Sequence, residues 1–410
     1  MRTQISLTGA NVSIKHQLFY DVTELACFDK GTGIQRVTRA LLLALSLQAP
    51  NAWEVVTVRG DRTSGRFITV SSTSLEGKTL AEAVVEPKAG DIFLSVDLTY
   101  NITPALRHEL VRFHEHGVEV YFVIYDLIPL RYPEWFKGTN DWFEGNDYLK
   151  LFAYWFDCAC EVADGLLSIS ESVCNDVKDW LIWHKLKRET PPALGYFHLG
   201  SDINRSVPTT GLPNDARNVL EHLQASTSFL MVGTLEPRKG HELALDAVES
   251  LWAQGIEVNL VIVGRAGWKI QPLVERLKTH PRLGTSLFWL EGVSDEYLRE
   301  VYTISSALLA LSLAEGFGLP LVEAAYFGLP LIVRDIPVFR EVCGAGATYF
   351  TGSSSADLTV LLQNWLRARE DGAPSCSVKM QVLSWEESAR QLMATIGKIR
   401  GNDSFWETDK

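Results

Sequence analysis

The chain has 410 residues, which at about 150 residues per domain predicts two or three domains with little linker. Hydrophobic residues make up 46% and charged residues 21% of the sequence, so wholesale disorder is excluded. The net charge of −12 argues against nucleic acid as the main partner, and no apolar run reaches the roughly 18 residues that a membrane-spanning helix needs.

The cysteines and the first residues indicate the compartment. Residues 1–22 lack the charged start and apolar core of a signal peptide. Six cysteines are too few for a disulfide scaffold, and Cys158 and Cys160 have the wrong spacing for a zinc knuckle. We therefore expect buried, reduced thiols in a cytoplasmic protein.

Short apolar runs alternate with amphipathic stretches along the first half, as is typical of a parallel sheet covered by helices. Thr103 is expected to cap a helix that begins at Pro104 and ends at Gly117. A buried strand is predicted over residues 118–126. Another strand, followed by a helix with Ser170 as its cap, is predicted further along the chain, over 166–169.

The second half is a regular repeat of strand and helix. Strands are predicted over residues 227–233, 258–264, 286–292, 307–312 and 330–335, and helices over 241–255, 295–304 and 320–328. Ser294 is the expected cap of the middle helix, and Gly255 closes the first one.

A segment rich in Pro, Gly, Ser, Asn and Asp, residues 191–217, separates the halves and is typical of a domain boundary. The predicted division is 1–207, 208–383 and 384–410. Ser384 and Glu387 form a capping-box pattern, which predicts a last helix ending near Arg400 and a frayed tail after it.

The strongest chemical signal is residues 315–323, Glu-Gly-Phe-Gly-Leu-Pro-Leu-Val-Glu. Gly316 and Gly318 let the backbone approach a ligand closely, and the free amides of the helix that follows favour an anion such as a diphosphate. Glu315 and Glu323 can accept hydrogen bonds from sugar hydroxyls. The alternative interpretation is a tight turn before an ordinary helix.

A second loop, residues 232–240, lies between a predicted strand and a predicted helix. Its adjacent cations, Arg238 and Lys239, are suited to clamp a phosphate, although a solvated cation pair is the alternative. Two further loops, 263–268 and 291–295, also fall where strands end, and open α/β sheets bind ligands at that edge.

Together these motifs resemble the donor-binding domain of the retaining GT-B glycosyltransferases of family 4. The E-x7-E element of that family matches Glu315 and Glu323, and the order of its motifs matches from residue 228 to about 342. The resemblance implies an α/β fold of two Rossmann-like domains that face each other across a cleft. It also implies that the last helix crosses back to the first domain.

The resemblance implies roles for individual residues. Glu323 would bind the nucleoside ribose, and the catalytic candidates are Glu315, Arg238, Lys239 and Asp126. The donor-binding set would be Gly31, Gly33, Gly233, Thr234, Arg238, Lys239, Gly264, Arg265, Val293, Glu315, Gly316, Phe317, Gly318, Leu319 and Glu323. No metal ligand is implied, because an arginine, a lysine and helix amides can neutralise a diphosphate.

The sequence departs from the family pattern at two places, and its first glycine loop, read alone, is a poor dinucleotide fingerprint. Thr234 stands where the first cation of the phosphate loop is expected, so Arg238 is expected to supply that charge. Tyr125 replaces the histidine that many relatives have before Asp126. The glycine loop around Gly31, which in the family closes over the diphosphate, lacks the third glycine of a dinucleotide fingerprint.

The resemblance implies a retaining, metal-independent hexosyltransferase without a cofactor, using a sugar nucleotide donor and a glycan or lipid-linked glycan acceptor. Residues 31–37 and 233–239 look most like those of bacterial O-antigen and capsule mannosyltransferases, which favours GDP-mannose. UDP-glucose, UDP-N-acetylglucosamine and a deoxyhexose donor stay open. The alternatives are a sugar-nucleotide epimerase of the same fold and a non-catalytic nucleotide-sugar-binding protein.

Two aromatic segments each have two interpretations. Residues 180–188 pair bulky apolar side chains with a basic cluster, which fits either an interfacial helix at the inner face of the plasma membrane or a core-facing helix with a solvated basic end. Residues 132–156 hold ten aromatic residues, which fits either core packing or a platform for a glycan acceptor.

Overall fold

The computed structural model describes residues 15–406 except 71–81, 140–144, 146, 185, 187, 207 and 373–379. Two sheets, one from each half of the chain, form the framework. Four clusters of buried apolar side chains lie against them, two for each sheet. Both sheets are therefore sandwiched between layers of helices, as parallel sheets require.

The first sheet contains β1 (His16–Asp21), β2 (Trp53–Asp61), β3 (Arg66–Thr69), β4 (Ile92–Ser95), β5 (Glu119–Ile124), β6 (Gly165–Ser168) and β7 (Ala193–Tyr196). Over the described residues their order is β3-β2-β1-β4-β5-β6-β7. All neighbours are parallel except β3, which is antiparallel to β2. The Pro- and Gly-rich segment between the halves thus begins with a strand of this sheet.

The helices of the first half are α1 (Thr23–Cys27), α2 (Gly33–Gln48), α3 (Arg107–Glu115), α4 (Ile128–Arg131), α5 (Tyr148–Val162) and α6 (Glu171–Trp183), with one turn of 3-10 helix over Pro133–Trp135. Thr32 and Ser170 cap α2 and α6 through their side chains, because each accepts a hydrogen bond from the amide three residues later. The cap predicted at Ser170 is confirmed.

The predicted start of α3 is wrong. The helix begins at Arg107 instead of Pro104, and the residues before it form turns. The hydroxyl of Thr103 lies 2.7 Å from that of Thr99, so it is engaged inside the turn and caps nothing. Because the Thr103 hydroxyl has a polar partner inside the turn, it does not cap a helix.

The second sheet contains β8 (Ser228–Val232), β9 (Asn259–Val263), β10 (Leu287–Leu290), β11 (Ala307–Ala310), β12 (Leu331–Arg334) and β13 (Thr348–Phe350). All described pairs are parallel, in the order β10-β9-β8-β11-β12-β13. Along β9, Leu260 and Ile262 enter one helix layer, and Val261 and Val263 enter the other, as the two-residue period of a strand dictates. The five strands predicted in this half are present.

The helices of the second half are α7 (Ala216–Ala225), α8 (His241–Ala253), α9 (Gln271–Thr279), α10 (Asp295–Ile304), α11 (Leu319–Tyr326), α12 (Pro337–Cys343), α13 (Ser355–Glu370) and α14 (Trp385–Arg400). Single turns of 3-10 helix lie over Ile203–Arg205 and Pro237–Lys239. The predicted caps Ser294 and Ser384 both accept the amide hydrogen bond of a side-chain cap. None of the helices described is long and apolar enough to cross a membrane.

The last helix, α14, follows the second sheet in sequence but packs on the first. Leu392 and Ile396 belong to the same buried cluster as Leu18 of β1 and Leu41 of α2. The residues after α14 are anchored too: the Trp53 indole nitrogen donates to the carbonyl of Phe405 over 3.0 Å, and the ring centroids of Phe405 and Trp406 lie 5.7 Å and 5.4 Å from that of Trp53. The predicted frayed tail is therefore wrong up to residue 406.

The described cysteines, Cys27, Cys158, Cys160, Cys174 and Cys343, are free thiols, whereas Cys376 lies outside the described residues. Burial raises the pKa of Cys160 and Cys343, the latter to about 12, so both stay protonated at neutral pH.

Candidate active site

The point at which the strand order of the second sheet reverses lies between β8 and β11. In open α/β sheets this crevice, at the carboxyl ends of the strands, is where ligands bind. The helices α8 and α11 begin there, after Gly240 at φ 76° and Gly318 at φ 94°. Neither helix has a side-chain cap, so the first amides of α8 and the amide of Leu319 in α11 are available to an anion, whereas Pro320 has no N–H and the amide of Leu321 donates to the carbonyl of Gly318.

Glu315 is the centre of an ion cluster in this crevice. Its Oε1 accepts hydrogen bonds from Lys239 Nζ over 2.5 Å and from Ser312 Oγ over 2.7 Å, and its Oε2 lies 3.1 Å from Arg238 Nη1. Burial acts to raise the pKa of Glu315, but Lys239 and Arg238 outweigh it and lower the pKa to about 2. Glu315 is therefore ionised throughout the physiological range.

Arg238 points into the protein, and its side chain is only 12% exposed. Its Nη1 donates to the carbonyl of Ala314 over 2.7 Å, and its Nε lies 2.9 Å from Glu236 Oε2. The turn of 3-10 helix between β8 and α8 carries it there, and its own carbonyl accepts from the amide of Leu313. The guanidinium is thus held in one orientation by groups on both sides of the crevice.

Two further carboxylates border the cluster. Burial raises the pKa of Asp126 and that of Glu236, and Arg238 opposes the shift in both cases. Asp126, at the end of β5, accepts a hydrogen bond from the amide of Ile128 over 3.0 Å. Among the residues that the structure describes, no group of three or more His, Cys, Asp or Glu side chains is arranged to hold a metal ion.

The glycine-rich loop after Glu315 docks against the first half of the chain. A Cβ added at Gly316 would lie 1.9 Å from the carbonyl oxygen of Tyr125, so only glycine fits this contact. Ser170 Oγ donates to the Gly316 carbonyl over 2.7 Å, and Phe317 is buried in the core cluster of the first sheet. The loop therefore joins the two halves next to the ion cluster.

Glu323, which lies in α11, is the centre of a second cluster of polar and charged side chains. Its Oε1 accepts from Arg36 Nη1 over 2.6 Å, and its Oε2 accepts from the Tyr302 hydroxyl over 2.8 Å. Arg36 comes from α2 of the first half and also pairs with Asp295 at the start of α10. Burial raises the pKa of Glu323, and Arg36 opposes that shift.

The chain is similar to known proteins in sequence and in fold. Residues 214–371 match the family described as "Glycosyl transferases group 1". This segment therefore resembles the group 1 glycosyl transferases. The serotype-specific mannosyltransferase WbdA of Escherichia coli is 39% identical to the chain over 388 residues, which is 93% of this chain and 46% of WbdA. The chain therefore spans about half the length of the curated relatives it matches first.

The O-antigen chain mannosyltransferase RfbU of Salmonella typhimurium is 35% identical over a shorter stretch of 123 residues, which is 30% of this chain and 33% of RfbU. Among solved structures, HepE of Anabaena in complex with UDP has a TM-score of 0.61 and 17% identity, covering 93% of this chain and all of HepE. Sucrose-phosphate synthase from Thermosynechococcus elongatus has a TM-score of 0.62 and 15% identity, covering 94% of this chain and all of that one. The resemblance to GT-B glycosyltransferases and the predicted α/β fold are confirmed.

The remaining residues of the expected donor set lie at the ends of neighbouring strands. A Cβ at Gly264 would lie 2.0 Å from the carbonyl oxygen of Gly233, so the loops after β8 and β9 touch at these glycines. Val293 is half-buried before α10, whereas Thr234 and Arg265 are exposed. Gly31, at φ 62°, and Gly33 precede or begin α2, the helix that carries Arg36. The structure thus gathers Arg238, Lys239, Glu315 and Asp126 in one cluster and leaves Thr234 and Arg265 at its margin.

Several residues of these clusters are not singled out by the motifs of the glycosyl transferase family. Glu236 and Arg36 lie inside the segments 232–240 and 31–37, so charge alone could have marked them as candidates. Ser312 and Tyr302 carry no local signal, because ordinary helices and strand ends contain such residues everywhere, whereas Asp295 is the last residue of the candidate loop 291–295. Only the folded chain brings them to the two glutamates.

Proposed function

We propose that the chain is a retaining hexosyltransferase that moves mannose from GDP-mannose to a hydroxyl of a glycan or lipid-linked glycan in the synthesis of a bacterial surface polysaccharide. The observation that carries the proposal is the pair Arg238 and Lys239, held by Glu315 beside two uncapped helix starts at the switch point. The mannosyltransferases WbdA and RfbU support the choice of sugar.

In the proposed reaction, the bond between the sugar anomeric carbon and the diphosphate breaks, and its electron pair goes to the diphosphate oxygen. Arg238, Lys239, the first amides of α8 and the amide of Leu319 stabilise that developing charge. The acceptor hydroxyl attacks from the face that the diphosphate leaves, and its proton passes to a phosphate oxygen. Retention of configuration then requires no covalent enzyme intermediate, and the reaction needs no bound metal.

The carboxylates have separate tasks in this proposal. Glu315 holds the two cations in place before the donor arrives, so little reorganisation accompanies bond breaking. It also lies where the donor sugar would be, together with Asp126. Glu323, with Arg36 as its cation, would accept hydrogen bonds from the ribose hydroxyls.

The proposal divides the work between the two halves. Residues 1–207 would bind the acceptor, and residues 208–383 would bind the sugar nucleotide, with 384–410 joining the second part to the first. The acceptor would enter along the aromatic segment near Phe136, whose ring lies 5.3 Å from that of Trp268 in the second half. Trp268 also donates to the carbonyl of Trp135 over 3.1 Å, so both halves line this entrance.

The direct test is turnover. The purified chain is incubated in EDTA with GDP-mannose, UDP-glucose or UDP-N-acetylglucosamine and a synthetic lipid-linked mannosyl acceptor. Mass spectrometry and NMR then report the product and its anomeric configuration, with Lys239→Ala as the inactive control. We expect transfer of mannose with retention. Conversion of the donor sugar would instead favour the epimerase, and binding without turnover the non-catalytic protein.

We further propose that the protein works at the cytoplasmic face of the plasma membrane and binds it peripherally at the end of α6. Ile182 is 68% exposed and Trp183 86% exposed there, which suits an apolar anchor at a lipid surface. Arg188, expected in the basic cluster, instead donates to the carbonyls of Cys160 and Ala163, so it faces the protein. Lys185 and Lys187 lie outside the described residues.

Flotation with phosphatidylglycerol vesicles tests the membrane proposal. Wild type is expected in the vesicle fraction, and an Ile182→Ser/Trp183→Ser variant is expected to stay at the bottom. If both stay at the bottom, or both float, the end of α6 is not the anchor.

A further inference from the structure

A small cavity lies directly beneath the ion cluster of Glu315. Its volume is about 30 Å³, and its walls come from β8, β11, the start of α11 and Phe339 of α12, with polar side chains at Lys239, His241, Ser312 and Glu315. A space of this size holds about one water-sized polar group, provided that two or more polar partners face it. The cavity therefore has room for a single oxygen atom of a ligand among polar side chains.

His241 is the unusual member of these walls. It is the first residue of α8 and only 2% exposed, and within the described residues its Nδ1 has no hydrogen-bond partner. Buried polar atoms of native proteins are almost always paired, so an orphaned ring nitrogen beside a cavity points to a partner from outside the chain. Burial, helped by Lys239, lowers the pKa of His241 to about 3, so the ring is neutral and carries one N–H.

The position of His241 is set by close packing. Gly240 adopts φ 76°, and a Cβ there would lie 2.8 Å from both the Cβ and the carbonyl oxygen of Leu311. Only glycine lets the start of α8 lie this close to the end of β11. His241 is therefore held against the crevice by backbone contacts and has little freedom to turn away.

In the tautomer that carries its hydrogen on Nδ1, His241 needs a partner that is an acceptor. Both oxygens of Glu315 already contact Lys239, Ser312 or Arg238. Glu315 is therefore not the expected hydrogen-bond partner of the imidazole. An anion is favoured at this place by the adjacent ammonium group and by the uncapped start of α8. A phosphate oxygen meets both requirements.

We propose that His241 is a further donor-binding residue, whose Nδ1 donates a hydrogen bond to an oxygen of the nucleoside diphosphate. The inference rests on the proposed function, since it names a residue of the same donor site. A neutral donor adds affinity without adding a third cation to the pair Arg238 and Lys239. His241 thus contacts the diphosphate from the start of α8, and Arg238 and Lys239 contact the diphosphate from the loop between β8 and α8.

Three variants separate hydrogen bonding from packing. In His241→Asn the amide nitrogen can take the place of Nδ1, in His241→Gln it can take only the place of Nε2, and His241→Leu offers no donor. Calorimetry with GDP is expected to show binding about 10- to 100-fold weaker in the Leu and Gln variants, as for a lost hydrogen bond to a charged group, and close to wild type in the Asn variant. The exposed His222→Leu is the matched control, and thermal unfolding without nucleotide verifies that each variant is folded.

The outcomes separate this inference from the proposed function. If wild type binds GDP and the folded Leu variant binds it equally tightly, His241 does not contact the diphosphate and the inference is wrong. Equal weakening in the Asn, Gln and Leu variants would show that the imidazole only fills space, which also overturns it. A wild type that binds neither GDP nor UDP would contradict the proposed function itself.

Discussion

Glu315 and Glu323 stand at the two ends of one short segment, yet their surroundings differ in origin. Glu315 contacts Lys239, Arg238 and Ser312, and all three partners come from the second half of the chain. Glu323 has a tyrosine from its own half but takes its cation, Arg36, from the first. Two cations lower the pKa of Glu315 to about 2. At Glu323 the effect of burial outweighs that of the single cation Arg36, so the pKa of Glu323 is raised.

The two glutamates therefore differ in how far their contacts depend on the arrangement of the two halves. The ion pairs of Glu315 lie within one half, so they do not depend on how the halves are placed, although Asp126 of the first half borders the cluster. The Glu323 cluster exists only while α2 lies against α11, so its formation is coupled to the closed arrangement of the two halves. We expect substitutions in the first cluster to change turnover, and substitutions in the second to change nucleotide binding and stability.

The largest effect is expected from the cations of the Glu315 cluster. Arg238→Ala and Lys239→Ala should each lower kcat by roughly 10²–10³-fold, the loss typical of a preorganised charge stabiliser. Steady-state kinetics at saturating donor measures it, with the exposed Arg217→Ala as the matched control. A kcat near wild type in Arg238→Ala would remove Arg238 from the site.

Substitutions of the two glutamates are expected to affect GDP binding differently. Glu323→Ala is expected to weaken binding of free GDP about tenfold or more, since a charged acceptor for the ribose hydroxyls is lost. Glu315→Gln should leave GDP affinity within a few fold of wild type and lower kcat instead. Calorimetry and kinetics on both variants test this, and unchanged GDP affinity in Glu323→Ala would contradict its ribose-binding role.

Arg36 should matter for stability in a pH-dependent way. Arg36→Ala leaves Glu323 buried without its cation, which costs about 1–3 kcal/mol of unfolding free energy. The pKa of Glu323 is already raised and rises further in the variant. A raised acid loses its stabilising effect as the pH rises through the folded-state pKa, so the loss should be larger at pH 8 than at pH 5. Urea unfolding of both proteins at the two pH values measures it, and an equal loss would contradict the coupling.

The smallest expected effect is proton uptake when the diphosphate binds. Asp126 and Glu236 have raised pKa values beside Arg238, and an added anion disfavours their charged forms further. Binding of GDP-mannose, whose diphosphate carries no proton that titrates near neutral pH, should therefore take up a fraction of a proton, and its affinity should rise as the pH falls from 8 toward 6. Calorimetry in buffers of different ionisation enthalpy gives the number, and Asp126→Asn should reduce it. Proton release on binding would refute this account.

The sequence by itself was sufficient for the local features of the fold. The caps at Ser170, Ser294 and Ser384 are confirmed because a cap acts over only three residues. The parallel strands of the second half follow from apolar runs between helices, and parallel strands bring their loops to one edge. Hence the alternation of strands and helices is enough to predict that the loops carrying Arg238 and Glu315 meet.

The tertiary structure alone decided contacts between residues that no local pattern links. Arg36 and Glu323 are 287 positions apart, and the hydroxyl of Ser170 meets the carbonyl of Gly316 from the other half. The start of α3 at Arg107 and the packing of Phe405 on Trp53 likewise depend on neighbours distant in sequence. The physical reason is range: caps and strand periods act over a few residues, whereas burial and ion pairing depend on which surfaces the whole chain brings together.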